Sequence, residues 1–143
     1  MRKSAVTIII ILVAGIAAFL VYVFRPVLGD KPRVASKLEV ADYETVVSGI
    51  SNSINELSPT PAVGGEWMVS DIEAAAGTNL VYATYTDTHN VFRILVSAAK
   101  PERDFVYKVE ATFEPVSQGG AVTWKLTHGE DLAVGKQLIK ISK

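Results

Sequence analysis

The distribution of apolar residues along the chain begins with one long uninterrupted run. Residues 4–24 contain 18 apolar residues out of 21 and no charged residue. As an α-helix with a rise of 1.5 Å per residue, this run would be about 30 Å long, which matches the hydrocarbon core of a bilayer. It is also longer than the apolar core of a cleaved signal peptide. We therefore predict a single transmembrane anchor over residues 1–25.

The pattern then changes twice before residue 60. Residues 26–35 contain two prolines and a glycine, which favour an extended stem rather than a continued helix. Apolar residues then recur at spacings of three and four, namely Val40, Tyr43, Val47, Ile50, Ile54 and Leu57. This spacing predicts an amphipathic helix over residues 37–57, with a capping box formed by Ser36 and Glu39.

From residue 66 onward, apolar and polar residues alternate with a period of two. The clearest case is residues 105–114, where apolar residues occupy every odd position from Phe105 to Phe113. Similar patterns indicate strands at 66–72, 80–86, 91–98 and 121–127, and a candidate short edge strand at 137–141. Because short turns join these segments, neighbouring strands are expected to be antiparallel. We predict a four- to five-stranded antiparallel meander.

Together these elements predict an α+β domain over residues 36–143, with the amphipathic helix packed on one face of the sheet. The arrangement resembles the cystatin-like and NTF2-like class of small α+β domains, and the resemblance is at the level of the fold alone. We expect a single core between helix and sheet, to which the strand alternation assigns Tyr107, Val109, Phe113 and Trp124 and the helical spacing assigns Ile50.

Charge is unevenly distributed along the sequence. Up to residue 33 there are five basic residues and one acid, whereas from residue 34 onward 9 basic and 14 acidic residues give a net charge of −5. An acidic domain argues against nucleic acid as a partner, because phosphate contacts need clustered Lys or Arg. Basic residues flank the apolar run on both sides. Since Arg2, Lys3 and the amino group resist translocation, we expect the N-terminus inside and the domain outside the cytoplasm.

Few residues have the chemistry of a catalytic or metal site. The chain has no cysteine, and its two histidines are His89 and His128. His128 with Glu130 and Asp131 forms a candidate metal site, because imidazole and carboxylate groups suit several divalent ions. Their spacing matches no known metal-binding loop, and strand ends are often polar. We therefore predict neither a catalytic residue nor a cofactor, and retain these three residues as the metal candidates.

Two further pairs of residues have alternative interpretations. Asp71 and Glu73 lie on one face of the first predicted strand and suit a general acid and base, but we favour carboxylates that face solvent. Trp67 and Trp124 can form the floor of a ligand cavity between helix and sheet, or two parts of the core. For this pair we favour the core.

Three hypotheses for function follow from these features. The leading one is a membrane-tethered, non-catalytic interaction or assembly domain, with the lipid bilayer bound through residues 4–24 and another membrane or envelope protein as partner. One alternative is a small ligand-binding or enzymatic domain with an NTF2-like pocket. The polar groups available to such a pocket are Asp71, Tyr82, Tyr107 and His128. The other alternative is a pilin-like filament subunit, against which Pro26 interrupts the helix and no glutamate lies near the start of the apolar run.

Overall fold

The computed structural model describes residues 36–118 and 121–142 of the protein. The predicted anchor at residues 1–25 and the predicted stem at residues 26–35 lie outside these ranges and stay predictions. Within the two described ranges, no helix is long and apolar enough to cross a membrane.

The amphipathic helix, α1 (Tyr43–Leu57), follows a single 3-10 turn at Val40–Asp42. It therefore begins later than the sequence pattern predicts. The residues before the 3-10 turn are not helical but are fixed to the domain, because Leu38 is buried and its N–H donates to the carbonyl of Thr78 at 3.0 Å. The predicted Ser36–Glu39 capping box is wrong, since Glu39 forms the box with Asp42, whose Oδ2 accepts the Glu39 N–H at 3.3 Å.

Six strands follow the helix. They are Met68–Ala75 (β1), Leu80–Thr86 (β2), Val91–Ala99 (β3), Val106–Gln118 (β4), Ala121–Gly129 (β5) and Leu138–Lys140 (β6). β2 has the bounds that the alternation predicts, and the other strands differ from their predicted bounds by a few residues. The candidate edge strand at 137–141 is confirmed as β6.

The sheet order is β5-β4-β3-β2-β1-β6, and every neighbouring pair is antiparallel. The predicted α+β class is confirmed, whereas the prediction of four or five strands is wrong, because the sheet has six. β1 to β5 form the meander, but β6 returns across the sheet and pairs with β1, where Ala74 lies opposite Ile139. The connection that makes this return, residues 130–137, is called the β5–β6 loop.

α1 packs on one face of this sheet and buries one side of itself completely. Val46, Ile50 and Ile54 are at most 1% exposed. They meet strand residues that include Ile72 and Ile94, which are also fully buried. Each such side chain stabilises the fold by about 2 kcal/mol through the removal of apolar surface from water. This interface is the main core of the domain.

β4 changes face part-way along its length, which corrects the prediction of a single core. Leu95 pairs with Ala111, but the next residue of β3 pairs with Val109, so Glu110 is an extra residue in β4. Such a β-bulge reverses the alternation of every residue beyond it. Tyr107 and Val109 therefore pack towards α1 as predicted, whereas Phe113 packs on the opposite face. Trp124 on β5 joins Phe113 there.

The two tryptophans consequently pack on opposite faces of the sheet. Trp67 is 3% exposed and contacts the rings of Tyr85 and Phe92 edge-on, at centroid distances of 5.0 and 5.6 Å. Its indole N–H donates to the carbonyl of Thr60 at 2.8 Å. The core interpretation is right for Trp67, and a shared cavity floor of Trp67 and Trp124 is excluded by their positions.

Candidate functional site

The sheet face opposite α1 carries a second apolar cluster. Its buried members are Ala75, Leu80, Tyr82, Leu95, Ala111, Phe113 and Ala133. Ala133 belongs to the β5–β6 loop, so this loop covers part of the face. Trp124 packs against the same cluster and remains half-buried.

An open cleft of about 340 Å³ lies between the β5–β6 loop and this face. Tyr82, Phe113 and Trp124 supply aromatic surface, and Val134 and Leu138 supply aliphatic surface. The rings of Tyr82 and Phe113 meet edge-on at a centroid distance of 5.8 Å. Apolar walls with a small number of fixed polar groups are typical of a binding site.

Arg93, the third residue of β3, is the central charge of the cleft. Its guanidinium lies 4.2 Å from the centroid of the Tyr82 ring and 5.6 Å from that of Trp124, which places it within cation–π distance of both. Nη2 donates to Oε2 of Glu73 at 2.6 Å, and the Arg93 side chain is 11% exposed. Among the described residues, the buried Nε has no hydrogen-bond partner. The ion pair and the two rings together fix the guanidinium against the sheet.

Tyr82 and Asp131 form the second polar contact of the cleft. The Tyr82 hydroxyl donates to Oδ1 of Asp131 at 2.5 Å, and the same oxygen accepts the N–H of Ala133 at 3.2 Å. Burial and the neighbouring Asp131 carboxylate raise the pKa of Tyr82 well above its ordinary value. The phenol therefore stays protonated at neutral pH, and the contact ties the β5–β6 loop to the sheet.

The predicted carboxylate pair, Asp71 and Glu73, lies at one side of this face, and each member has its own cation. Glu73 pairs with Arg93, while Oδ1 of Asp71 lies 2.9 Å from the Lys140 ammonium and accepts the Ser142 hydroxyl at 3.0 Å. Burial raises the pKa of Asp71, but the hydrogen bonds from Lys140 and Ser142 outweigh it and bring the pKa below its ordinary value. Each carboxylate is thus paired with a cation of its own, which argues against Asp71 and Glu73 as a general acid and base.

The three metal candidates are not brought together. His128 and Glu130 are exposed, whereas Asp131 is turned to Tyr82. In the part of the chain that the structure describes, no group of three or more histidine or carboxylate side chains is placed to hold a metal ion. Of the other polar candidates, Tyr107 packs on the helix side, and Tyr82 lines the cleft.

Arg93 was not singled out by the sequence pattern, although one signal was present. It is the single charged residue of the otherwise apolar segment 91–96, and it occupies a position that faces away from the helix. A lone charge in a central strand needs a partner on the neighbouring strands, since an unpaired buried charge is strongly unfavourable. That partner is Glu73, which lies two strands away on β1.

No family model matches this chain, and neither does any curated protein or solved structure.

Proposed function

We propose that the chain is a membrane-tethered, non-catalytic interaction domain that binds a protein partner through the cleft face. The observation that carries the proposal is the state of the charged groups at the cleft. Arg93 is neutralised by Glu73, and the Asp131 carboxylate is occupied by Tyr82 and by a backbone N–H. Because Arg93 and Asp131 are engaged within the domain, the cleft offers mainly aromatic and aliphatic surface for contact, with Lys136 as a further charged residue of its lining.

The same observation weighs against an enzyme. A catalytic site needs a nucleophile or an acid–base group, a residue that orients it, and a pocket from which water is excluded. The Tyr82 hydroxyl is held protonated, and both histidines are exposed outside the cleft. Since the cleft is open to solvent, it suits a side chain of a partner better than a reacting substrate.

For the tether, we propose that residues 4–24 span the lipid bilayer and that the domain lies outside the cytoplasm. The length of the uncharged run and the basic N-terminus support this. We further propose that the helix-on-sheet arrangement is of the cystatin-like or NTF2-like type, supported by one helix that precedes an antiparallel sheet and covers one face of it. The pilin-like alternative rests on the apolar run at residues 4–24 followed by a small antiparallel meander, and it is not the function we propose because Pro26 interrupts the helix and no glutamate lies near the start of the run.

A second candidate function is the binding of a small apolar ligand. The volume of about 340 Å³ falls within the range of ligand sites, and three aromatic rings line it. Mass spectrometry of the gently purified chain distinguishes the two. A small molecule retained by the wild-type protein and lost on Trp124→Ala would favour the ligand site.

The test of the main proposal uses two exposed valines. Val134 stands at the cleft and is 74% exposed, whereas Val63 lies before β1, outside the residues that line the cleft, and is 77% exposed. We would purify the full chain from gently solubilised membranes and quantify the proteins that accompany it. Val134→Asn is expected to lower the recovery of a specific partner at least fivefold, and Val63→Asn to leave it unchanged. Equal recovery with both variants would contradict the proposal.

A further inference from the structure

In the part of the chain that the structure describes, β5 forms one edge of the sheet. Among the described residues, β5 pairs with β4 alone. Every residue from Val122 to Gly129 is exposed except the half-buried Trp124. The opposite edge, β6, is three residues long and carries Lys140, which are both ordinary protections of an edge. β5 is nine residues long and has a single lysine, Lys125, so a long row of backbone groups is available for pairing.

The side chains of β5 alternate in a way that suits a further strand. Trp124 lines the cleft, and because strand residues alternate, Val122 and Leu126 project on the same side. Val122 is 61% exposed and Leu126 is 43% exposed. Thr123 and Lys125 project on the other side. A strand added here would cover apolar residues on one side and meet polar residues on the other.

We propose that β5 of a second copy of this chain supplies that strand and pairs antiparallel with β5 of the first. The two copies are then related by a two-fold axis that passes between their two Trp124 residues. The inference rests on the proposed function and names one partner of the interaction domain. With the axis at Trp124, Val122 lies opposite Leu126 of the second copy, and Thr123 lies opposite Lys125 of the second copy. Each apolar residue meets an apolar residue and neither lysine meets its equivalent. Moving the axis to Lys125 would place two like charges directly opposite each other, which is unfavourable.

The backbone is compatible with this register. In an antiparallel pair, directly opposite residues alternate between hydrogen-bonded and non-hydrogen-bonded positions. If the two Trp124 residues lie opposite each other, the residues before and after them pair symmetrically. The strands can then form a regular ladder of hydrogen bonds whether the Trp124 pair is a hydrogen-bonded or a non-hydrogen-bonded one. The pairing is expected to end near Thr127, because Thr127 is an extra residue opposite β4 and the bulge bends the edge there.

Charge also favours this edge over the remainder of the surface. Residues 34–143 carry a net charge of −5, so two copies repel each other in general. β5 contains no acidic residue, and the two strands bring one lysine each. Attachment of both copies to one membrane would raise their effective concentration and assist a small interface. The product is a continuous sheet of twelve strands, six from each copy, with the two Trp124 residues at its centre.

The absence of cysteine from the sequence allows a register-specific test. Full chains bearing Thr123→Cys and full chains bearing Lys125→Cys, with different affinity tags, are placed in the same membranes and oxidised. In the proposed register these positions are directly opposite, at a Cα separation of about 4.5–5.5 Å, which permits a disulfide. Two copies of the same variant are diagonal, at about 7–8 Å, which does not. We expect a disulfide-linked dimer that contains both tags, and at least tenfold less dimer from either variant alone.

Three results bear on the proposal. A control pair of Glu102→Cys and Lys125→Cys, which combines β5 with the exposed β3–β4 turn, is expected to give no mixed dimer above background. Equal dimer from the single variants, or no mixed dimer from the Thr123 and Lys125 chains, would overturn the inference. If the mixed dimer fails while Val134→Asn still removes a partner, the pairing is wrong and the proposed function stands.

Discussion

The backbone N–H of Val63 donates to Oδ2 of Asp87 at 2.6 Å, across 24 positions of the sequence. The same carboxylate accepts three further backbone N–H groups, from Gly64, His89 and Asn90, at 2.7 to 3.1 Å. Asp87 has no exposed surface. It therefore joins the segment between α1 and β1 to the β2–β3 turn, and this carboxylate holds one end of the sheet together.

This arrangement predicts an acid-sensitive stability. Burial raises the pKa of Asp87, but the four backbone N–H groups outweigh it and hold the pKa well below its ordinary value. In the unfolded chain the carboxyl titrates near pH 4, at about its ordinary value. As the pH falls below about 4, the unfolded state gains a proton that the folded state resists, so the free energy of unfolding decreases. Above about pH 5 this contribution is fully present.

Denaturant unfolding between pH 7 and pH 3 measures the effect. Asp87→Asn is expected to lower the stability at pH 7 and to flatten its dependence on pH, because the amide cannot accept all four hydrogen bonds. The control is Asp104→Asn, which removes an exposed carboxylate of the β3–β4 turn. Asp71 and Glu110 also have lowered pKa values, so some dependence remains. An unchanged slope in Asp87→Asn would show that this carboxylate does not set the acid sensitivity.

Whether Gly49→Ala stabilises or destabilises the protein is expected to depend on one neighbour, Tyr107. A Cβ atom at Gly49, in α1, would lie 2.0 Å from the hydroxyl oxygen of Tyr107 on β4. Alanine is a better helix former than glycine by about 1 kcal/mol, yet we expect Gly49→Ala to destabilise the protein by about 1 kcal/mol because Tyr107 must move. In a Tyr107→Ala background the same change is expected to stabilise by about 1 kcal/mol. Urea unfolding of the four chains measures this coupling. Stabilisation in both backgrounds would contradict the packing.

The ion pair between Arg93 and Glu73 gives a third prediction. Arg93→Met keeps most of the side-chain volume but leaves Glu73, which is 27% exposed, without its cation. We expect a loss of about 2 kcal/mol in the free energy of unfolding. Adding Glu73→Gln should recover about half of it, since the uncompensated carboxylate is then removed. If Glu73→Gln lowered the free energy of unfolding by the same amount in the Arg93→Met background as in the wild type, the two residues would act independently, which would contradict the ion pair.

The fold could be predicted from the sequence where local pattern decides the structure. β2 is a mostly apolar segment between two short turns, and its bounds are reproduced. The face of Phe113 was predicted wrongly because the bulge at Glu110 adds a residue without disturbing the visible alternation. β6 was predicted as a short edge strand, but its partner β1 is set by a return across the sheet that no local pattern records. Long-range pairing of this kind depends on the whole core.

The candidate site was less predictable for a similar reason. Its polar contacts join residues far apart in sequence, such as Tyr82 with Asp131, which are 49 positions apart. The sequence makes Asp131 a metal candidate because of its neighbours His128 and Glu130, whereas in the structure it accepts a hydrogen bond from the Tyr82 phenol. The alternation places Trp124 in the single expected core, whereas it lies on the opposite face of the sheet. The cleft exists because the β5–β6 loop folds over the second face, and that contact follows from tertiary packing alone.

The central claim is that the cleft face binds a protein partner, and site-specific photo-cross-linking tests it most directly. A benzoylphenylalanine would replace Val134 in one full chain and Val63 in another, since their exposures of 74% and 77% are matched. On irradiation of intact membranes, we expect an adduct of defined mass with a protein from position 134, its yield reduced at least fivefold by Trp124→Ala, and background labelling from position 63. The same adducts at equal yield from both positions, or no adduct from position 134, would contradict the account.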